Sequence, residues 1–147
     1  MSYVAKYHLK NPQKYMGVGT IPIHKSLLEM RVMRFLDLNQ KAVRWGYECF
    51  KIPYIFRLDH KIHTYFVDFY AEILNNEGKV DKWLMEIKSR GDLSPPKPPV
   101  KKTPKSQRNY NLAVMTWTKN IDKWNAAKAM CAKTGMKFKL LSENEIY

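Results

Sequence analysis

The segment 62–74, IHTYFVDFYAEIL, restricts the fold more than any other part of the sequence. Its aromatic and β-branched residues favour an extended strand. The run is strongly apolar, yet the acidic residue Asp68 stands in its middle. Because a buried charge without a partner is heavily penalised, an acidic residue at this position is expected to have a purpose.

Two other segments are predicted to be strands of the same sheet. Residues 47–57 and 82–88 have a similar composition, and turn residues at 58–60 and 75–78 separate the three segments. This order predicts an antiparallel meander. Pro53 has no backbone N–H to donate, so the first strand should lie at an edge of the sheet or contain a bulge.

Helical patterns lie on both sides of the meander. Ser26 and Glu29 match a capping box at the start of a helix that should fade near Asn39. A helical pattern resumes near Lys105, and a second helical stretch, about residues 121–133, carries a clear apolar face.

The end of the chain completes the predicted fold. Gly135 occupies the position of a helix C-cap, and residues 136–141 are predicted to form a last strand. A strand–helix–strand crossover makes the joined strands parallel. The sequence thus predicts an α/β fold whose mixed sheet of about four strands is flanked by helices. An irregular basic arm, residues 1–25, is predicted to precede a single domain, residues 26–147.

The excess of basic residues indicates the class of partner. Lys and Arg number 26 against 13 Asp and Glu, a net charge of +13. Such a charge favours a polyanion, of which nucleic acid is the commonest, because neutralised phosphates release counterions. A solvated basic surface is the plainer alternative. Binding to an acidic membrane surface is a weaker alternative, because neither a basic amphipathic helix nor a lipidation signal is evident.

Part of this charge lies in a loop rich in proline. Five of the eight prolines fall between residues 95 and 104, interleaved with lysine. They predict an extended, polyproline-like loop over residues 91–105. The basic side chains proposed to contact DNA phosphates here are Lys97, Lys101, Lys102, Lys105 and Arg108.

Several other classes of protein are disfavoured. No run approaches the roughly 18 apolar residues of a membrane span, and the N-terminus lacks the apolar stretch of a secretory signal. Cys49 and Cys131 do not have the spacing of metal ligands, so a disulfide scaffold or a zinc site of the cysteine type is not expected. A reduced intracellular setting is the default expectation.

Alternation of side chains along the strands predicts where charges meet. On the third strand Glu86 and Lys88 share a face with Leu84. On the second strand one face is predicted to carry Phe66, Asp68, Tyr70 and Glu72, and the other to carry Val67, Phe69, Ala71 and Ile73. If the two polar faces coincide, two carboxylates and an ammonium converge. A solvated Glu–Lys pair at a strand edge is the simpler alternative.

Two carboxylates in an apolar site repel each other unless a proton or a cation lies between them. Mg²⁺ prefers oxygen ligands and often uses one or two carboxylates plus a substrate phosphate. Lys88 beside them could hold a scissile phosphate or orient a water. Together with the basic loop, this set has the groups that metal-assisted hydrolysis of a phosphodiester needs.

Over nearly its whole length the chain resembles the PD-(D/E)xK nuclease superfamily. Within it, the likeness is greatest to the head completion nucleases of T-even-type tailed phages, and more distant to the TnsA-like transposon end nucleases. Val67 replaces the proline of the superfamily name. The motifs that carry the resemblance are Lys10-Asn11-Pro12, Lys14-Tyr15-x-Gly17, Ser26-x-x-Glu29, Leu36-Asp37-x-Asn39, Trp45-Gly46-x-Glu48, Ile52-Pro53-Tyr54, Tyr65-Phe66-x-Asp68, Glu86-Ile87-Lys88, Asp122-Lys123-Trp124-x-Ala126-Ala127 and Gly135-x-Lys137-Phe138.

The resemblance implies a restriction-endonuclease-like core and a DNA nuclease that depends on Mg²⁺, for which Mn²⁺ can substitute. Asp68 and Glu86 would then hold the metal, assisted by the main-chain carbonyl of Ile87. Lys88 would position the attacking water or stabilise the transition state. Glu29 would complete the site from the helix, although the capping box alone also explains this residue.

The resemblance also implies a setting. The enzyme would trim or cut packaged DNA before head–tail joining, in the host cytoplasm or on the virion. Its partners would be duplex DNA, without strong sequence specificity, and phage head, portal or neck proteins. Two alternatives remain open at this point: a non-catalytic DNA-binding adaptor of the virion, and a nuclease that cuts transposon ends.

Overall fold

A mixed four-stranded sheet forms the centre of the protein, seen here in a computed structural model that describes residues 4–17 and 20–145. The outer ends of the predicted arm and of the predicted domain lie outside the described residues. The elements are β1 (Ala5–Lys6), β2 (Ile23–His24), α1 (Leu27–Leu38), β3 (Ala42–Phe56), β4 (Lys61–Leu74), β5 (Val80–Ile87), α2 (Pro104–Thr134) and β6 (Lys137–Leu141).

The topology of the sheet confirms the predicted fold class. The strands lie in the order β3-β4-β5-β6, the first three antiparallel and the last pair parallel. β3 is an edge strand, and Pro53 lies within it opposite Thr64, as its missing N–H requires. β3 begins at Ala42, five residues before the predicted start at residue 47.

The helices cover opposite faces of the sheet. α1 packs through Val32, Met33 and Leu36 against one face, and α2 packs through Trp124 and Ala127 against the other. α2 is a single helix that joins the two predicted helical stretches, because no proline or glycine follows Pro104 until Gly135. Lys105 therefore belongs to this helix and not to the loop in which it was predicted. None of the described helices is long and apolar enough to cross a membrane.

The predicted alternation along β4 is wrong at Asp68. Val67 packs in the cluster beneath α2, whereas Phe69 and Ala71 pack in the cluster beneath α1. The cause lies in the neighbouring strand. Tyr47 pairs with Phe69 and Phe50 pairs with Val67, so between these two pairs β3 has one residue more than β4. Side chains on β4 therefore change faces at Asp68, where the two strands are out of step.

The segment before α1 is attached to the core through one buried carboxylate. Asp37, in the last turn of α1, accepts hydrogen bonds from the Tyr7 hydroxyl at 2.8 Å and from the backbone N–H groups of Lys10 and Asn11 at 2.8 and 2.9 Å. The Tyr15 ring packs on Trp45, with their centroids 4.7 Å apart. The N-terminal segment therefore packs on the same core as α1.

Candidate active site

The candidate site lies where the pairing between β4 and β5 ends. Backbone pairing runs from Leu74 opposite Val80 to Phe69 opposite Met85, and the next position on β4 is Asp68. Here side chains replace the backbone partners across the gap. The Asp68 N–H donates to Glu86 Oε1 at 3.3 Å, and the Ile87 N–H donates to Asp68 Oδ2 at 2.8 Å.

The two carboxylates are held close together in a largely dry environment. Glu86 is 5% exposed, and Asp68 is half-buried. Burial raises the pKa of Asp68 to about 8, with a further rise from the Glu86 charge, against the opposing effect of the Ile87 N–H. Burial also raises the pKa of Glu86. Both carboxyl groups are therefore harder to ionise here than in water.

Lys88 supplies a positive charge beside this pair. Its ammonium lies 3.8 Å from Glu86 Oε2, and its backbone N–H donates to the Leu141 carbonyl of β6 at 2.9 Å. The parallel pairing with β6 thus fixes the main chain at the position from which Lys88 reaches the acids. Its charge opposes the rise in the pKa of both Asp68 and Glu86.

Glu29 approaches the same acids from the start of α1. Its backbone N–H donates to Ser26 Oγ at 3.1 Å, which is one half of the predicted capping box. The reciprocal half is absent, because the Glu29 carboxylate accepts from the Lys25 N–H at 2.6 Å and from the Tyr47 hydroxyl at 3.1 Å. The Glu29 charge contributes to the raised pKa of Asp68. Glu29 therefore lies near enough to Asp68 for its charge to act on it, while its own hydrogen bonds go to Lys25 and Tyr47.

Two charged neighbours were not predicted as part of the site. The Lys25 ammonium lies 3.1 Å from Glu48 Oε1, and the Glu48 hydrogen bond raises the pKa of Lys25, with smaller effects from Glu29 and Asp68. Glu48 has φ 51°, at the point where β3 and β4 are out of step. Only the pairing of the strands reveals that position.

Tyr65 and Lys123 form the wall beside Glu86. The Tyr65 side chain is buried beside Glu86, and burial followed by the Glu86 charge raises its pKa. The Lys123 ammonium lies 5.5 Å from the centre of the Tyr65 ring. Burial lowers the pKa of Lys123, against the opposing effect of Glu86. The face of α2 that carries Trp124 was predicted, but not the cation beside it.

The five residues predicted to contact DNA lie away from this cluster in sequence and are all solvent-exposed. A short 3-10 turn, Arg90–Leu93, follows β5, and an extended segment then leads to Pro104 at the start of α2. Lys97, Lys101 and Lys102 lie on the extended segment, whereas Lys105 and Arg108 lie on the first turns of α2. Their contact with DNA stays a prediction.

The oxygen ligands available to a metal ion are few. Within residues 4–17 and 20–145, no three side chains of His, Cys, Asp or Glu are grouped as a ready-made metal site. Asp68 and Glu86 provide two carboxylates at one place, which is the number that Mg²⁺ often takes from a protein. Their raised pKa values show that a positive charge there would relieve an unfavourable arrangement. The donor set therefore fits a hard divalent cation.

Comparison with known proteins matches this chain to a protein family and to a phage protein. A family model described as TnsA-like endonuclease N terminal matches residues 39–143, which include Asp68, Glu86, Lys88 and Lys123. The head completion nuclease of Enterobacteria phage T4 is 31% identical over 144 residues, covering 98% of this chain and 93% of that protein. Glu29 lies outside the first match.

Proposed function

The chain belongs to the TnsA-like endonuclease family and is by that membership a nuclease; on this premise we propose that it hydrolyses phosphodiester bonds of DNA with the help of Mg²⁺. The observation that carries the proposal is the pair of crowded carboxylates, Asp68 and Glu86, beside Lys88 where the β4–β5 pairing ends. An ordinary structural ion pair needs only one acid for each base.

Asp68 and Glu86 are the residues that would hold the cation. The Ile87 N–H is directed at Asp68, while the Lys88 N–H is directed at β6. In an extended strand the N–H and the carbonyl of one residue point to the same side, which supports Ile87 as a third oxygen ligand. When bound, the metal ion would supply an activated water and neutralise charge on the phosphate.

Lys88 and Glu29 would act on the reacting groups. Lys88 is held by its main chain at the edge of the acid pair, where its ammonium can bind a nonbridging phosphate oxygen or orient a water. Only one oxygen of Glu29 is engaged in hydrogen bonds within the described part of the chain. Its other oxygen is available to bind a water or a second cation.

The setting proposed for this activity is phage assembly. The phage T4 relative is a head completion nuclease, and similarity over nearly the whole of both chains supports a related role. The enzyme would act on packaged duplex DNA before the tail joins, in the host cytoplasm or on the virion. Head, portal or neck proteins would be its protein partners.

Digestion of plasmid DNA tests the proposed chemistry. We expect the protein to cut DNA with Mg²⁺ or Mn²⁺ and to leave it intact in EDTA, and Glu86→Gln to lose cleavage because it removes a metal ligand. A variant with Lys128→Gln, an exposed change on α2, serves as the control. Cleavage that persists in EDTA, or that survives Glu86→Gln in full, would contradict the proposal. Binding without cleavage would instead favour the adaptor.

The exposed lysines around the proline-rich segment provide a prediction about DNA affinity. Replacing Lys97, Lys101, Lys102 and Lys105 by Gln should weaken binding to all DNA sequences alike. The salt slope, which is the slope of the logarithm of the binding constant against the logarithm of the salt concentration, should become less steep by about 0.9 for each lost phosphate contact on duplex DNA. Cleavage at saturating DNA should change less than affinity, because these residues are not metal ligands.

Binding isotherms at several salt concentrations measure this effect. The matched control removes four exposed lysines from other parts of the surface by changing Lys6, Lys41, Lys79 and Lys139 to Gln. If the loop instead docks on a virion protein, the loop variant will bind and cut DNA with an unchanged slope and fail only in head assembly.

A further inference from the structure

Two lysines on α2 are held in an unusual way. Lys119 and Lys123 are half-buried, whereas Lys128 and Lys133 on the same helix are exposed. The Lys119 ammonium lies 5.4 Å from the centre of the Phe56 ring, and the Lys123 ammonium lies 5.5 Å from the centre of the Tyr65 ring. Aromatic faces attract cations and restrict where they can move.

The register of α2 against the sheet fixes both lysines at these positions. Between them in sequence, Asp122 accepts the backbone N–H of Arg57 at 3.0 Å and the Arg57 guanidinium at 2.6 and 2.9 Å. Trp124, the residue after Lys123, has its side chain buried in the core. The lysine side chains therefore start from a backbone that has little freedom to slide or rotate.

Their charge is not neutralised by the protein. In the part of the chain that the structure describes, neither Lys119 nor Lys123 has a carboxylate within ion-pair distance. Lys123 lies near enough to sense the charges of Glu86, Lys88 and Lys119. Lys123 thus has the Glu86 carboxylate and two further ammonium groups in its surroundings.

We propose that Lys119 and Lys123 form a phosphate-binding strip that holds the DNA backbone next to the scissile bond. The ligand class is the phosphodiester chain, and the proposal rests on the nuclease function proposed above. Residues four apart on a helix lie on the same face of it, so both side chains can contact the backbone of one DNA strand. Lys123 lies beside Glu86 and contacts the phosphate nearer to the reaction, whereas Lys119 contacts a phosphate farther along.

DNA binding measured in EDTA tests the strip independently of cleavage. The probe is a short labelled duplex, titrated with protein at several KCl concentrations. The double variant Lys119→Gln with Lys123→Gln should lose about 1.8 from the salt slope, or 0.9 for each of two contacts. The matched control, Lys128→Gln with Lys133→Gln, removes the same charge from exposed positions of the same helix and should keep the slope.

Two further variants distinguish a phosphate contact from a packing effect. Lys123→Arg keeps the cation and should restore most of the affinity. At saturating DNA with Mg²⁺, Lys123→Gln should lower the cleavage rate at least tenfold, whereas Lys119→Gln should raise Kd and leave the rate nearly unchanged. The melting temperature of each variant verifies that it is folded.

Each outcome decides the proposal. Equal salt slopes for the two double variants overturn the strip, even if the wild-type protein cuts DNA. A wild-type protein that binds DNA through these lysines but never cuts it overturns the proposed nuclease and leaves the strip intact. A wild-type protein that does not bind the duplex overturns both.

Discussion

Two aspartates of this protein, Asp37 and Asp68, have opposite surroundings. Asp37 is fully buried and accepts three hydrogen bonds, from the Tyr7 hydroxyl and from two backbone N–H groups. Asp68 is half-buried, accepts the N–H of Ile87 and faces the carboxylate of Glu86. The first carboxylate fastens the N-terminal segment to α1. The second is left short of donors beside another acid.

The difference shows that burial alone does not indicate what a carboxylate does. A buried charge is stabilised when its oxygens accept several hydrogen bonds, and destabilised when a like charge is its neighbour. Asp37 is satisfied by the folded chain itself, whereas Asp68 needs a partner from outside, such as a cation. The same substitution at the two positions should therefore have opposite effects on stability and activity.

The largest effect is expected on cleavage. Asp68→Asn should lower the rate with Mg²⁺ by about a thousandfold, which corresponds to about 4 kcal/mol of transition-state stabilisation. Without metal, the variant should be as stable as the wild type or more stable, because it removes like-charge repulsion. Rate measurements and thermal melts in EDTA check both statements. Wild-type rates in a folded variant would remove Asp68 from the site.

Asp37→Asn should reverse this pattern. Its amide group has a single acceptor oxygen, so at least one of the donors that Asp37 satisfies would face another donor. We expect a loss of about 2–3 kcal/mol in the free energy of unfolding, measured with urea, and an unchanged cleavage rate at temperatures where the variant is folded. Stability equal to that of the wild type would contradict the anchoring role.

The pH dependence of stability sharpens the comparison. The raised pKa of Asp68, about 8 in the folded state, lies above the value near 3.9 expected when unfolded. Between these values the folded protein binds a proton that the unfolded chain has lost, so stability falls as pH rises. In EDTA, the melting temperature of the wild type should fall relative to that of Asp68→Asn between pH 5 and pH 8. A constant difference between the two proteins would contradict this.

The smallest effect is expected at Glu29. Its surroundings are intermediate between those of Asp37 and those of Asp68. It accepts two hydrogen bonds from the protein and still influences Asp68. Glu29→Gln keeps an acceptor oxygen for Lys25 and Tyr47, so the melting temperature should hardly change. Cleavage should fall by about tenfold or more if the carboxylate serves the reaction, a step of about 1.4 kcal/mol. Full activity of the Glu29→Gln variant would show that Glu29 has a structural role only.

Much of the fold could be predicted because local chemistry determines it. The order of the four strands follows from composition and turns. Pro53 limits β3 to an edge position or a bulge, and the end of α2 follows from Gly135, whose φ is 76°. The grouping of Glu86 with Lys88 follows from their spacing. Each of these depends only on neighbours in sequence.

The parts that could not be predicted depend on contacts between distant segments. The change of faces at Asp68 arises from the extra residue on β3, which no property of β4 reveals. The Lys25–Glu48 pair joins the start of α1 to that same irregular point. Lys123 could not be assigned to the site from its own helix, because only the packing of α2 places it over Tyr65.

The buried side chains of α2 all lie in its second half, and this has a consequence for the motions of the helix. The helix has 31 residues and rises about 46 Å, yet its first buried side chain is Asn120, near the middle. Local opening costs little free energy where few apolar contacts hold a segment. Amide hydrogens in the first half should therefore exchange with solvent much faster than those after Trp124. The lysine-bearing loop joins the fast-exchanging end, so it can adjust to a curved duplex while the acids stay fixed.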